Sequence, residues 1–209
     1  MNQRGTWEAL ALGPSWREYV LPGRTDEQFW REGREQVEQL ASIVALPPTA
    51  TVVDYGCGVG RLSIVLAERC GRVIGLDISR GLLGRISHHR DNLNYSHVDD
   101  FEERSCADVV ISLMCLQHND ARDRGLILDR VIGLLRDDGV FVANFPRAGR
   151  GVYRGTSGDD GFMMQCFDRE QVEAYGGRFR THAIVEGDLA AYGGQEIRGG
   201  NEWWLVARK

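Results

Sequence analysis

Asp54, Gly56, Gly58 and Gly60 follow the apolar segment Thr51-Val52-Val53 directly, an acid and then glycines at every second position. Glycine tolerates positive φ and has no Cβ, so such a loop turns sharply from a strand into a helix and lets a ligand approach the backbone. Two more acidic segments follow. Asp77 ends the β-branched run Arg72-Val73-Ile74-Gly75-Leu76, and Asp99-Asp100-Phe101 ends Tyr95-Ser96-His97-Val98. An acid at a strand end about 20 residues past a glycine loop is placed to accept hydrogen bonds from two ribose hydroxyls. His118, in Leu113-Met114-Cys115-Leu116-Gln117-His118-Asn119, is the residue suited to taking a proton near neutrality, with an unperturbed pKa of about 6.5. The chemistry implied is the binding of a nucleoside-type ligand beside a general base.

The glycine spacing separates related loops. A dinucleotide loop, G-x-G-x-x-G, would require glycine at position 61, where Arg61 stands, and no Gly-Lys pair followed by Ser or Thr marks a phosphate loop. Asp77 alone is compatible with NAD or with another adenosine cofactor. The Asp54-x-Gly56-x-Gly58-x-Gly60 pattern resembles motif I of the class I S-adenosylmethionine (SAM) methyltransferases. The resemblance implies that Asp54, Gly56 and Gly58 hold the methionine part of SAM and that Asp77 holds the ribose. It implies that Asp100, or failing it Asp99, meets the adenine amino group. Gly60, Arg61, Ile78, Phe101 and Leu113 are the further cofactor contacts implied. Cys115-Leu116-Gln117-His118 replaces the Asn/Asp-Pro-Pro-Tyr/Phe of amino-methyltransferases of DNA, and looks like the Leu-Gln-His version of small-molecule enzymes. It covers residues 26 to 145 well and the rest weakly.

Strand and helix alternate around these residues, the pattern of a parallel sheet covered on both faces. Helices are expected at 26 to 46 with Asp26 as cap, 61 to 70, 79 to 89 with Ser79 as cap, and 121 to 135. The last carries Leu126, Ile127, Val131, Leu134 and Leu135 on its apolar side. Strands are expected at 51 to 55, 72 to 77, 94 to 98, 108 to 113 and 140 to 145, the last entered through an Asp137-Asp138-Gly139 turn. Asp168 with Gln171 three residues on caps a short helix that Gly176-Gly177 ends, and strands follow at 181 to 185 and 203 to 207. The resemblance implies a Rossmann-like doubly wound sheet of order 3-2-1-4-5-7-6, with the last strand antiparallel and helices on both faces.

With 209 residues the chain fits one domain. Residues 1 to 46 read as a helical lid, 47 to 145 as the cofactor-binding core, and 146 to 209 as a substrate loop with closing strands. The 25 basic and 30 acidic residues give a net charge of -5 without a basic run, which argues against nucleic acid as partner. The N-terminus has no apolar leader region and no run approaches the ~20 apolar residues of a bilayer span, so a cytoplasmic location without membrane contact is expected. Five scattered cysteines without C-x-x-C or His pairing point to neither disulfides nor a metal site.

The function implied is methyl transfer from SAM, leaving S-adenosylhomocysteine (SAH), to an oxygen or nitrogen of a small molecule. His118 is expected as base, with Trp16, Tyr19, His118 and Tyr153 lining the acceptor site. Arg31 and Arg34 are candidates for the cofactor carboxylate, and Arg147, Arg150 and Arg154 for an anionic acceptor. A macromolecular methyltransferase working with a partner and a non-catalytic SAM/SAH-binding scaffold are the alternatives. The pattern is compatible with a homodimer.

Overall fold

The computed structural model describes residues 3–14, 23–149, 164–187 and 201–209. Among the described residues two helices precede the sheet, α1 (Gln3–Leu12) and α2 (Asp26–Ile43). The sheet strands are β1 (Thr51–Tyr55), β2 (Arg72–Asp77), β3 (Leu93–His97), β4 (Ala107–Ser112), β5 (Leu135–Pro146), β6 (Thr181–Gly187) and β7 (Glu202–Arg208). Between them lie α3 (Ser63–Leu66), α4 (Arg80–Leu83), α5 (Ala121–Leu134) and α6 (Arg169–Gly176). The strand order is β3-β2-β1-β4-β5-β7-β6, and β7 runs antiparallel to both its neighbours, as the resemblance implied.

Burial explains why the central strands read as continuous apolar runs. Every residue of β1 is buried, and Val52, Val53, Val73, Leu76, Val110 and Ile111 are at or near zero exposure. One core lies between the sheet and α5 and α6, with Phe141, Phe145 and Phe167; the other, under α2 and α3, holds Leu40, Leu66 and Trp204. Phe141 stacks on Phe179 with centroids 5.6 Å apart.

Several boundaries differ from the sequence expectation for local reasons. Thr25, not Asp26, caps α2: its hydroxyl accepts from Gln28 N and the Gln28 side chain accepts from Thr25 N, closing a capping box. The helices after β1 and β2 are one turn long, because a tight turn at Ala67 and one at Gly84 end them early. Strand β5 begins at Leu135, so Asp137-Asp138-Gly139 lies within it. The irregularity is absorbed by a register shift against β4 between Ala107 and Val109 and by Asp138 at φ +64°. Leu126 is 58% exposed, whereas Leu128 is buried, so the apolar side of α5 is set by Leu128, Val131 and Leu134. Ser79 and Asp168 cap α4 and α6 as expected, the latter with the predicted Gln171 partner. Among the described residues no helix is long and apolar enough to cross a membrane.

Phe141→Ala should destabilise the protein by about 3 to 5 kcal/mol, the range for truncating a buried aromatic. Leu126→Ala, outside the core, should stay within about 0.5 kcal/mol of wild type. Urea unfolding of the two variants checks the assignment of the α5 face.

Candidate active site

The carboxyl ends of β1, β2 and β4 open onto one cavity, of about 1010 Å³ including its mouth. Asp54, at the end of β1, is 2% exposed and accepts from Ser63 Oγ at 2.6 Å. Burial raises its pKa from the usual 3.8 to about 6, against the opposing pull of Ser63 and Arg61. Asp77, at the end of β2, is buried and also raised by desolvation. Its Oδ2 accepts from Gly58 N at 2.7 Å and its Oδ1 from Ser79 N at 2.8 Å, which oppose that rise. One carboxylate thus joins the loop after β1 to the loop after β2.

The glycines divide their work. Gly56, Gly58 and Gly60 have φ of +83°, +57° and +79°. A Cβ on Gly56 would lie 2.5 Å from Cys115 Sγ, so this glycine admits the exit of β4. A Cβ on Gly60 would collide with the Tyr95 ring, and Gly60 does not line the cavity. The missing side chain lets the Tyr95 ring pack against this turn. Gly58 has open space where its Cβ would stand and does line the cavity, so its backbone is open to that space.

Arg61, an expected cofactor contact, is buried. Its Nη2 donates to Gln36 Oε1 at 2.6 Å, and its guanidinium carbon lies 5.4 Å from the Phe29 ring centroid. It lines the cavity together with Ile78 and Leu113. Arg34 does not reach the cavity, being paired with Glu68, and Arg31 pairs with Glu35.

The acids after β3 are placed differently from the expectation. A 3-10 turn at Val98–Asp100 exposes both carboxylates. Asp99 takes a hydrogen bond from Arg4 at 2.6 Å and Asp100 one from Arg80 at 2.8 Å, and each arginine holds its acid below the usual range. Asp99, Asp100 and Phe101 are outside the cavity wall, and Val98 is the residue of this turn that lines it. Sequence reasoning passed over His97, which is buried below the turn. Its Nδ1 accepts from Asp99 N at 3.2 Å, so Nε2 carries the proton and donates to Ile78 O at 3.0 Å.

Helix α1 supplies contacts without a local signal in the sequence. Glu8 accepts from Arg80 N at 2.6 Å, Gly81 N at 2.9 Å and Ser79 Oγ at 3.2 Å, capping α4 from a distant part of the chain. Burial raises the Glu8 carboxyl, but these three donors outweigh it and leave its pKa lowered. Arg85 Nε donates to Ala11 O at 2.7 Å. Trp7 forms part of the cavity wall and meets the His118 ring edge-on at 5.3 Å. His118 lines the cavity from a 3-10 turn at Leu116–His118 and is 4% exposed. Trp16, Tyr19, Tyr153, Arg150 and Arg154 lie outside the described residues. Arg147 pairs with Glu186 at 2.7 Å and stacks on Trp203.

Two variants separate the glycine roles. Gly58→Ala should cost about 1 to 2 kcal/mol of backbone strain and still fold. Gly56→Ala should melt well below it, because the clash with Cys115 adds to the same strain; thermal denaturation of both decides. The raised Asp54 gives a pH signature with a definite sign. A carboxyl with elevated folded pKa favours the native state when protonated, so its contribution is full below about 4 and is lost as pH rises through about 6. Asp54→Asn should therefore gain about 2 to 3 kcal/mol on wild type between pH 4 and 7 in the ligand-free protein, read by denaturant melts across that range.

Comparison with known proteins accords with this geometry. A family model described as a methyltransferase domain matches residues 47–185. A probable S-adenosylmethionine-dependent methyltransferase of Mycolicibacterium smegmatis is 27% identical over 133 residues, 62% of this chain and 50% of the relative. A 23S rRNA uracil-C5 methyltransferase of Legionella pneumophila is 31% identical over 77 residues, 34% of this chain and 17% of the relative. The chain thus spans half or less of the length of these two curated relatives. Among solved structures, the 1,6-didemethyltoxoflavin-N1-methyltransferase of Burkholderia thailandensis, with its substrate and S-adenosylhomocysteine bound, superposes with a TM-score of 0.68. It is 20% identical, and the match covers 100% of this chain and 91% of that one. With the family match spanning most of the chain, and with this sheet order and glycine loop, the chain belongs to the methyltransferase domain family and has the class I SAM-dependent methyltransferase fold.

Proposed function

We propose that this chain transfers a methyl group from SAM to an oxygen or nitrogen of a small molecule. The observation that carries the reading is the convergence of two buried acids, the open face of Gly58 and the ring of His118 on one cavity. SAM supplies a methyl group on a sulfonium, already activated toward displacement. The protein's part is to bind it, orient the acceptor behind the methyl carbon at about 3 to 3.5 Å, and remove the acceptor's proton.

The residues fit that cofactor. Asp54 sits in a site that disfavours its charge, and a bound ammonium would relieve the penalty, which matches a role toward the methionine end. Asp77 is already bonded to two backbone N–H groups, yet each carboxylate oxygen accepts more than one hydrogen bond, leaving acceptor capacity for ribose hydroxyls. Ile78, Val98 and Leu113 offer apolar walls for the adenine. With Asp99 and Asp100 engaged by arginines, the ring is held in this reading chiefly by those walls. His118 is the proposed base, and Trp16, Tyr19 and Tyr153 remain the proposed acceptor contacts.

A small acceptor is favoured over a macromolecule because Trp7 walls the cavity and packs on His118, leaving little room for a polymer beside the base. The net charge of -5 supports the same choice. Isothermal titration with SAH, using NAD as control, tests the cofactor: SAH should bind and NAD should not. Asp77→Ala should lower SAH affinity about 100-fold, near 2.7 kcal/mol. Equal affinity in the variant, confirmed folded by circular dichroism, sinks the assignment. Radiolabelled methyl recovered in RNA or protein fractions of an extract, and absent from small molecules, would replace the small-molecule reading with a macromolecular one.

A further inference from the structure

Arg124 is the fourth residue of α5 and is 4% exposed. Burial opposes its charge, and so does the positive N-terminal end of the helix dipole, so its contacts must offset both. Nε donates to the Tyr175 hydroxyl at 2.7 Å, and Nη1 donates to Gln165 Oε1 at 2.7 Å and to the Asn119 carbonyl. Among the described residues all of these acceptors are neutral, which suits a group that grips carbonyls and not one that balances an acid. The guanidinium carbon lies 5.0 Å from the Phe167 centroid and 5.8 Å from that of Tyr175. Both rings pack on Phe145 of β5, with centroids 5.1 and 5.6 Å from it, so the guanidinium is referenced to the sheet itself.

What Arg124 holds is the turn that carries His118. Leu116–His118 is a single 3-10 turn, closed by His118 N donating to Cys115 O at 3.1 Å and Asn119 N to Leu116 O at 3.2 Å. Such turns have poorer hydrogen-bond geometry than an α-helix and gain from support outside themselves. The support reaches both chain neighbours of His118. Arg124 binds the Asn119 carbonyl directly; the Gln117 carbonyl accepts from Gln165 N at 2.9 Å, and the Gln165 side chain is bonded to Arg124. The His118 ring lines the cavity and meets Trp7 edge-on at 5.3 Å. One guanidinium thus grips the backbone on either side of His118, while Trp7 packs its ring.

We propose that Arg124 is a positioning residue for His118: through Asn119 and Gln165 it fixes the turn from which the imidazole enters the cavity. The inference rests on the reading of His118 as the base of a methyl transfer. Arg124 does not line the cavity, and the role asks for no contact with cofactor or acceptor. A base serves only where its nitrogen meets the acceptor's proton, and a displacement of about 1 Å can cost about a hundredfold in rate. A planar guanidinium donates in several fixed directions at once, which lets one side chain hold two segments and a helix in register. A plain tie between α5 and α6 would need the Tyr175 bond alone; the bonds to Asn119 and Gln165 serve the turn.

The test follows the ring resonances of His118 by NMR in the full, histidine-labelled chain, with His97, buried at the end of β3, as internal reference. Arg124→Gln releases the turn, whereas Tyr175→Phe cuts the tie to α6 and leaves the carbonyl contacts. The His118 resonances are expected to move toward the free-histidine position in Arg124→Gln, as the ring leaves Trp7, and to stay in place in Tyr175→Phe, with His97 unmoved in both. Carbethoxylation of His118 by diethyl pyrocarbonate should become at least about tenfold faster in Arg124→Gln, the mark of a local opening, with His97 labelling and SAH affinity unchanged. If Arg124→Gln does not fold, Gln165→Leu decides, since it cuts the Gln117 branch alone and should move the same resonances. An unmoved His118 in the folded variant, an equal response in Tyr175→Phe, or His118 and His97 moving together overturns the proposal. With SAH bound by the wild type, those results remove the positioning role alone; a wild type that does not bind SAH removes the methyltransferase reading and the proposal with it.

Discussion

The buried carboxylate of Asp77 is the constraint around which the site is organised. Its two oxygens hold the N–H groups of Gly58 and Ser79, so the turn after β1 and the turn after β2 keep a fixed spacing. The left-handed conformation of Gly58 directs its N–H at the acid while leaving the other side of the residue open to the cavity. Loss of that carboxylate would orphan two backbone donors in a water-poor place, so the residue is structural before any ligand arrives. The same burial that makes those bonds strong raises the pKa of Asp77 and of Asp54 beside it.

A second tier of polar contacts is built onto this frame from a distant segment. Glu8 caps α4 directly downstream of Asp77, and Arg4 binds Asp99. These contacts seat α1 so that Trp7 reaches the cavity and His118. His97 works from below, linking the backbone of Asp99 to that of Ile78. The wall of the cavity therefore depends on an acid in a helix far away in the chain.

How much of this was legible in the sequence follows from how local each signal is. The strand-to-glycine transition at Asp54 and the strand end at Asp77 are written in contiguous residues, and the caps at Ser79 and Asp168 depend on partners three residues away. The sheet order came from resemblance. Packing partners that are remote in the chain leave no such local signal. Nothing near Gly60 announces Tyr95, nothing near Asp100 announces Arg80, and nothing near Arg61 announces the Gln36 and Phe29 that bury it. Leu126 failed for another reason: α5 has more apolar residues than its buried stripe can use, so periodicity alone chose the wrong one.

The cavity also has an electrical character. Asp54 and Asp77 both line it. In a low-dielectric site two buried acids favour a bound cation, an interaction stronger there than in water. Methyl transfer from a sulfonium to an anionic nucleophile removes opposite charges as it proceeds. An enclosed, weakly polar setting disfavours the separated charges of the reactants more than the neutralised transition state, so in the proposed reaction apolar walls such as Leu113 and Ile127 would assist the transfer as well as the fit. With a neutral acceptor the charge persists through the transfer and that assistance largely disappears.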